Sequence, residues 1–134
     1  MERTLVLIKP DAVERRLVGK IISIYEEKGL YISAIKIIKP SLEMAKEHYA
    51  EHKDMPYFKA LTEYITMGNV CALILEGDNA IQVVRKINGA TDPLNAEVGT
   101  IRGRFATSKS ENIVHSSDSP ENAAREILIW FPEI

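Results

Sequence analysis

Short apolar runs of strand length alternate along this chain with segments of helical period, and that alternation is the strongest constraint on its fold. Leu5-Val-Leu-Ile8 is an apolar run stopped by Lys9-Pro10, which reads as a buried strand. Val18, Ile21, Ile22 and Tyr25 recur at i, i+3, i+4 and i+7, with Gly29 beyond them, which describes an amphipathic helix with a glycine stop. Tyr31 to Ile38 is rich in β-branched residues and ends before Pro40, so it reads as a second strand. Ser41 can cap a helix running through Tyr49, and a further helix follows Pro56, with Phe58, Leu61 and Ile65 on one side and Gly68 at its end. Val70 to Leu75 is the third strand. Ala80, Ile81, Val84 and Ile87 form the next helix, ended by Gly89. Ile113-Val114 is a short strand, and Ala123, Ile127 and Trp130 mark the last helix.

Setting the inserted helices aside, the order is strand, helix, strand, strand, helix, strand. That is the split βαβ, ferredoxin-like pattern. It predicts an α+β fold, a βαββαβ sandwich with a mostly antiparallel four-stranded sheet, helices over one face and added helices in the connections. With 134 residues, the chain has the size of a single domain, 1–134, with room for a sizeable core. The segment from Ala90 to about Glu111 reads as one long irregular connection, and such ordered loops are usually functional.

Seventeen basic against nineteen acidic side chains leave a net charge of −2, which argues against nucleic-acid binding through bulk charge, so any phosphate site must be local. The single cysteine, Cys71, lies in the apolar run Val70-Cys-Ala-Leu-Ile-Leu75; it cannot form an internal disulfide and fits a reducing, intracellular setting. No apolar run approaches a membrane span and no signal peptide opens the chain, so a cytoplasmic location is expected.

Asn112-Ile-Val-His115-Ser-Ser117-Asp118-Ser-Pro120 carries the chemistry. A histidine ends a short apolar stretch, hydroxyls and a carboxylate follow, and a helix begins. Ser119 suits the N-cap, Pro120 the first helical position and Glu121 the first turn. Imidazole is nucleophilic and basic near neutral pH, and helix N-termini favour anions, so the segment suits a histidine that meets phosphate. Read alone, it equally describes a capped helix that follows a histidine.

Asn-x-x-His-x-Ser-Asp resembles the active-site signature of nucleoside diphosphate kinases. The resemblance extends along the chain through Glu2-Arg-Thr-Leu, Lys9-Pro10-Asp11, His48-Tyr49, Pro56-Tyr57-Phe58, Arg85, Gly89-Ala-Thr91-Asp-Pro93 and Gly99-Thr-Ile-Arg102-Gly, in the family's order. It implies the same ferredoxin-like fold and an enzyme that moves the γ-phosphate of a nucleoside triphosphate, typically ATP, to a nucleoside diphosphate. The implied mechanism is ping-pong through phosphohistidine on His115, with broad base specificity. By the same resemblance Ser117 and Glu126 orient the imidazole, and Tyr49 lies near it and the phosphate. Lys9, Arg85 and Arg102 are phosphate ligands, with a hydroxyl from Thr91. Asn112 and Lys9 hydrogen-bond the ribose, and Tyr57 and Leu61 form the base clamp. Mg2+ arrives with the nucleotide phosphates, and Asp118 contacts it through water or else serves only as a local turn residue. His48 and His52 sit in a polar helical region and read as solvated.

The chain departs from the family pattern in four places. Ser116 replaces the usual glycine after the histidine. Arg104 stands where an acidic residue is common, either adding positive charge or facing solvent. Lys109 replaces an apolar residue against the base. The chain ends four residues after Trp130, where many relatives continue onto a neighbouring subunit. Relatives are hexamers or tetramers built from dimers, and Pro93 matches a loop proline at hexamer contacts, so a homo-oligomer is implied and a hexamer favoured. Two other classes compete: a phosphohistidine carrier served by a protein partner, which would not need Lys9, Tyr57, Thr91 and Asn112, and a non-catalytic binding module, which would not need His115, Lys9, Arg85 and Arg102.

Overall fold

The computed structural model describes Met1–Ile134. Four strands, β1 (Glu2–Ile8), β2 (Tyr31–Ile38), β3 (Val70–Gly77) and β4 (Val114–Ser116), form one sheet in the order β2-β3-β1-β4. All three pairings are antiparallel. The strand order places β1 and β2, the two ends of the first crossover, on either side of β3, as the split pattern requires.

Seven helices surround the sheet. They are α1 (Pro10–Glu14), α2 (Val18–Glu27), α3 (Leu42–His48), α4 (Phe58–Ile65), α5 (Ala80–Asn88), α6 (Ile101–Phe105) and α7 (Pro120–Trp130). They cover both faces, not one. Val6, Ile8, Cys71, Leu73 and Leu75 meet Ile21 and Tyr25 of α2 and Val84 of α5 on one side. Leu5, Leu7, Ala72 and Ile74 meet Ala45 of α3, Ile65 of α4 and Ile127 and Trp130 of α7 on the other. The uninterrupted burial of Thr4–Ile8 and Val70–Leu75 is the sequence trace of this double cover, since a strand buried on both faces does not alternate. The helices inserted between β2 and β3, together with the C-terminal helix, supply the second layer.

Three local readings are corrected. Pro10 does not simply stop β1; it takes the first position of α1, where a missing N–H costs nothing. The stretch from Ala90 to Glu111 contains α6, capped by Thr100, whose hydroxyl accepts from Gly103 N at 3.0 Å. Gly103 lets that turn close, because a Cβ there would lie 1.9 Å from the Glu97 carbonyl oxygen. And β4 begins after Ile113, which holds φ at +77°, a strained value for a β-branched residue. The Asp11 carboxylate accepts from Ile113 N at 3.1 Å, and the Ile113 carbonyl accepts from Lys9 N at 2.8 Å, so both sides of the strained peptide are tied down.

Candidate active site

Strand parity decides where His115 points. It pairs with Leu7, while Val114 and Ser116 pair with Ile8 and Val6. Residues opposite one another share a face. His115 therefore shares the face of Leu7 with α3 and α7, and its neighbours turn toward α2 and α5. Ser116 there accepts from Asn88 Nδ2 at 3.1 Å, and Asn88 Oδ1 accepts from the Tyr25 hydroxyl at 2.6 Å. Ser116 needs no positive φ, so the departure from glycine is accommodated.

Helix α7 starts as expected, with Ser119 Oγ accepting from Asn122 N at 3.1 Å and Pro120 at the first position. Two turns on, Glu126 leans back toward the helix start, as helical side chains do, and its Oε1 lies 3.1 Å from His115 Nε2. Ser117 Oγ donates to the same oxygen at 2.8 Å and accepts from Leu5 N at 3.2 Å. A carboxylate accepts only, so the imidazole proton sits on Nε2 and Nδ1 keeps its lone pair. Ser117 is fully buried, and of the candidate residues it is the one that does not line the cleft.

That cleft has a volume of about 830 Å³, within the range of small-molecule sites. His115 lies in its wall with Lys9, Tyr49, Arg102 and Asn112, all four of them buried. Lys9 Nζ donates to Asn112 Oδ1 at 2.8 Å, and Asn112 Nδ2 donates to the Thr91 carbonyl at 3.1 Å. Burial lowers the Lys9 pKa to about 8, the Arg102 charge adds to the fall, and Asp11 opposes it. Arg102 is held by three backbone carbonyls: Nη2 donates to Val114 O at 2.6 Å, Nη1 to Gly89 O at 2.7 Å and Nε to Asn112 O at 3.3 Å. Gly89, at φ +87°, makes one of those contacts reachable; a Cβ on it would sit 2.4 Å from Thr100 Oγ1. Burial, and then the neighbouring Arg85 charge, pull the Arg102 pKa down while Tyr25 opposes them. Two cations forced together in a buried wall attract an anion.

Arg85, Thr91 and Asp118 are exposed on the rim. Asp118 accepts from Asn122 Nδ2 at 2.7 Å, and that bond holds its carboxyl below the usual range. Tyr57 and Leu61 face the cleft at the start of α4, the Tyr57 hydroxyl 2.9 Å from His52 Nδ1. Burial raises the Tyr49 pKa above its ordinary value, and the Glu126 charge adds to it. Lys109 lines the cleft; Arg104 does not, and instead lies over the Phe105 ring at 4.7 Å.

His48 is the correction. It is not solvated: 3% of its surface is exposed, its Nδ1 accepts from Trp130 Nε1 at 3.1 Å, and its ring meets that of His115 edge to face, with centroids 4.5 Å apart. Burial holds its pKa well below the ordinary imidazole value, and the charge of His115 adds to the fall. The signal was in the chain: Ala45, His48 and Tyr49 stand at i, i+3 and i+4, and all three are buried.

The chain matches the family model described as nucleoside diphosphate kinase over residues 2–134. A curated nucleoside diphosphate kinase from Caldanaerobacter subterraneus subsp. tengcongensis is 54% identical over 134 residues, covering 100% of this chain and 96% of that protein. Among solved structures, the apo nucleoside diphosphate kinase of Encephalitozoon cuniculi superposes with a TM-score of 0.96 at 45% identity, over 98% of this chain and 89% of that one. A nucleoside diphosphate kinase family protein from Babesia bovis does so with a TM-score of 0.96 at 47% identity, over 99% and 90%. A histidine with one ring nitrogen free in a cationic cleft and a match along the whole chain agree: this chain belongs to the nucleoside diphosphate kinase family.

Proposed function

We propose that His115 Nδ1 carries the phosphoryl group while this enzyme, a phosphotransferase by its family, moves the γ-phosphate of a nucleoside triphosphate to a nucleoside diphosphate. The observation that carries this reading is the 3.1 Å contact between His115 Nε2 and Glu126, which leaves Nδ1 as the free lone pair of a ring in the cleft wall. The Nδ1 lone pair attacks the γ-phosphorus and the bond to the β-phosphate oxygen breaks, releasing the diphosphate. The ring then bears positive charge, which Glu126 stabilises through the Nε2 proton. An incoming diphosphate oxygen attacks the same phosphorus and the P–N bond breaks. No proton has to leave the ring in either half.

Lys9, Arg85 and Arg102 gather charge around the phosphates, where phosphoryl transfer needs it. Asn112 and Lys9 hold the ribose, Thr91 adds a hydroxyl, Tyr49 borders the phosphate, and Tyr57 with Leu61 covers the base. A carrier fed by a protein partner has no use for this second group, which is why the nucleotide reading is preferred. The family's reaction takes a divalent cation. Mg2+ fits here: it prefers oxygen ligands, travels on nucleotide phosphates and keeps its waters, and Asp118 offers an exposed carboxylate at the rim. It would neutralise charge on the phosphates.

A cytoplasmic setting suits nucleotide substrates and the one buried thiol, Cys71, while no helix is long and apolar enough to cross a membrane. A homo-oligomer, with a hexamer favoured, suits the exposed apolar residues Ile35 and Ile37 on β2 and Leu94 and Val98 beyond Pro93; light scattering gives the mass. The deciding experiment is incubation with γ-labelled ATP without acceptor. Label should reside on His115, be lost in acid, survive base, and discharge as GTP on adding GDP. Initial-rate plots at several acceptor concentrations should be parallel. Intersecting plots with no labelled His115 would sink the covalent route.

A further inference from the structure

Three buried side-chain polar atoms of this molecule have no hydrogen-bond partner, and one of them, Nε2 of His48, belongs to a ring packed on the nucleophile. A buried donor without a partner is costly to keep, so it calls for a reason. The identity of the atom is fixed by its surroundings. The Trp130 indole can only donate, and it points at His48 Nδ1 from 3.1 Å. Nδ1 is therefore an acceptor, and the neutral ring carries its proton on Nε2. Burial, with His115, Arg125, Lys9 and His52 all opposing a further positive charge, keeps the ring in that form.

His48, His115 and Glu126 have ligand atoms within 4.8 Å of one another, the spacing of a three-ligand metal site. The indole argues against that use. A metal on Nε2 would push the proton to Nδ1, where it would face the Trp130 N–H donor to donor. The ring is built to donate, and its partner must be an acceptor. It is also held firmly. Arg125 donates to the carbonyls of Glu47 at 2.9 Å and His48 at 3.3 Å, closing the end of α3, so α7 fixes His48 through Arg125 and Trp130 and fixes His115 through Glu126.

We propose that His48 is a further catalytic residue: its Nε2–H donates to an oxygen of the phosphoryl group in transit on His115. This rests on His115 as the site of transfer. A donor with no protein partner that gains a charged acceptor when the phosphoryl group arrives stabilises the transferring state over the ground state, which is the condition for raising a rate.

The test uses wild-type protein with 15N-labelled histidine. Before phosphorylation, His48 should show a protonated Nε2 and an unprotonated Nδ1. After ATP is added and ADP removed, the Nε2 proton should move downfield. A proton on Nδ1, or an unmoved Nε2–H in fully phosphorylated enzyme, would overturn the inference while leaving the transfer reading intact. Absence of phosphate on His115 would remove both. Two variants give the kinetic check. His48→Gln keeps an acceptor for Trp130 and a donor for the phosphoryl group; His48→Phe keeps neither. Relative to wild type, His48→Phe should slow single-turnover phosphorylation by about tenfold to hundredfold with diphosphate affinity unchanged, and His48→Gln should recover most of the loss. A merely structural histidine would instead lower melting temperature, affinity and rate together, with glutamine no better than phenylalanine, and that result would refute the donor role. Should His48→Phe fail to fold, His48→Gln and the wild-type spectra decide.

Discussion

His115 Nε2 and Ser117 Oγ share a single acceptor, Oε1 of Glu126, at 3.1 and 2.8 Å. The carboxylate sets the imidazole tautomer and its ring angle, and the serine sets the carboxylate. Glu126→Ala removes the whole arrangement and should slow phosphorylation of His115 by at least about 100-fold; loss of the orienting carboxylate from a Ser-His-Asp triad costs about 10^4-fold. Quenched single-turnover assays would measure it; a rate within twofold of wild type would show that the contact is structural only.

Ser117→Ala has a second consequence, because its oxygen also accepts from Leu5 N in the buried sheet. That N–H would lose its partner, at about 1–3 kcal/mol. Urea unfolding should show a lower midpoint for Ser117→Ala as well as a slower transfer, whereas loss of rate with an unchanged midpoint would contradict the shared role.

Arg102 and Arg104 stand two residues apart on α6 and should behave oppositely. Arg102 holds three backbone carbonyls from two segments around the cleft, Gly89 after α5 and Asn112 and Val114 leading into β4. Arg102→Ala strips donors from backbone oxygens and positive charge from the cleft wall proposed to hold phosphate, so it should lose several kcal/mol of stability and at least about 100-fold in rate. Arg104 is exposed and lies over Phe105, so Arg104→Ala should stay within about 0.5 kcal/mol of wild type and keep its activity. The reverse ranking in thermal melts and steady-state assays would refute this assignment of the loop.

What could be read from residue order was whatever local chemistry decides. The Ser119 cap and Pro120 start of α7, the Ser41 cap of α3 and the β-branched strand Tyr31–Ile38 all depend on residues within one turn of themselves, and all stand as expected. The place of His48 depends on Trp130, 82 residues away, and on β4 bringing His115 against α3. Its helical spacing was visible, but a polar residue at a core position gives no hint of the partner that satisfies it. The second helical layer was likewise hidden, since a short apolar run says that a strand is buried and not by how many elements. The site roles came from the motif's resemblance to its family; the geometry adds which nitrogen is free and which carbonyls hold Arg102.

Base preference follows from the rim. Tyr57 is 43% exposed, Leu61 is half-buried and Lys109 is exposed where an apolar partner is usual. A ring and an aliphatic stem meet any base face alike. GDP, CDP and dTDP should therefore agree within about tenfold in kcat/KM, since one apolar contact is worth about 1–3 kcal/mol. Lys109→Val should change KM modestly and leave kcat alone. Hundredfold discrimination among the three acceptors would refute the tolerant clamp.

The pH profile isolates Lys9. Its folded pKa, about 8, lies below the ordinary 10.5, with burial the main cause. Between those two values the unfolded chain holds the proton that the folded chain has released, so Lys9 makes stability increase as pH rises through that window. Function should run the other way: the ammonium proposed to meet phosphate is lost above pH 8. In the free enzyme, kcat/KM for a nucleoside triphosphate should fall on a basic limb near pH 8, while the contribution of Lys9 to unfolding free energy grows toward pH 10. Lys9→Arg keeps its charge across this range, so its kcat/KM should be lower at neutral pH, for want of the short Nζ contact to Asn112, yet lack that limb. Paired profiles of rate and urea unfolding from pH 6.5 to 10 would check both signs. The same limb in Lys9→Arg, or a wild-type rate still rising past pH 9, would show that the lysine charge does not govern capture of the triphosphate.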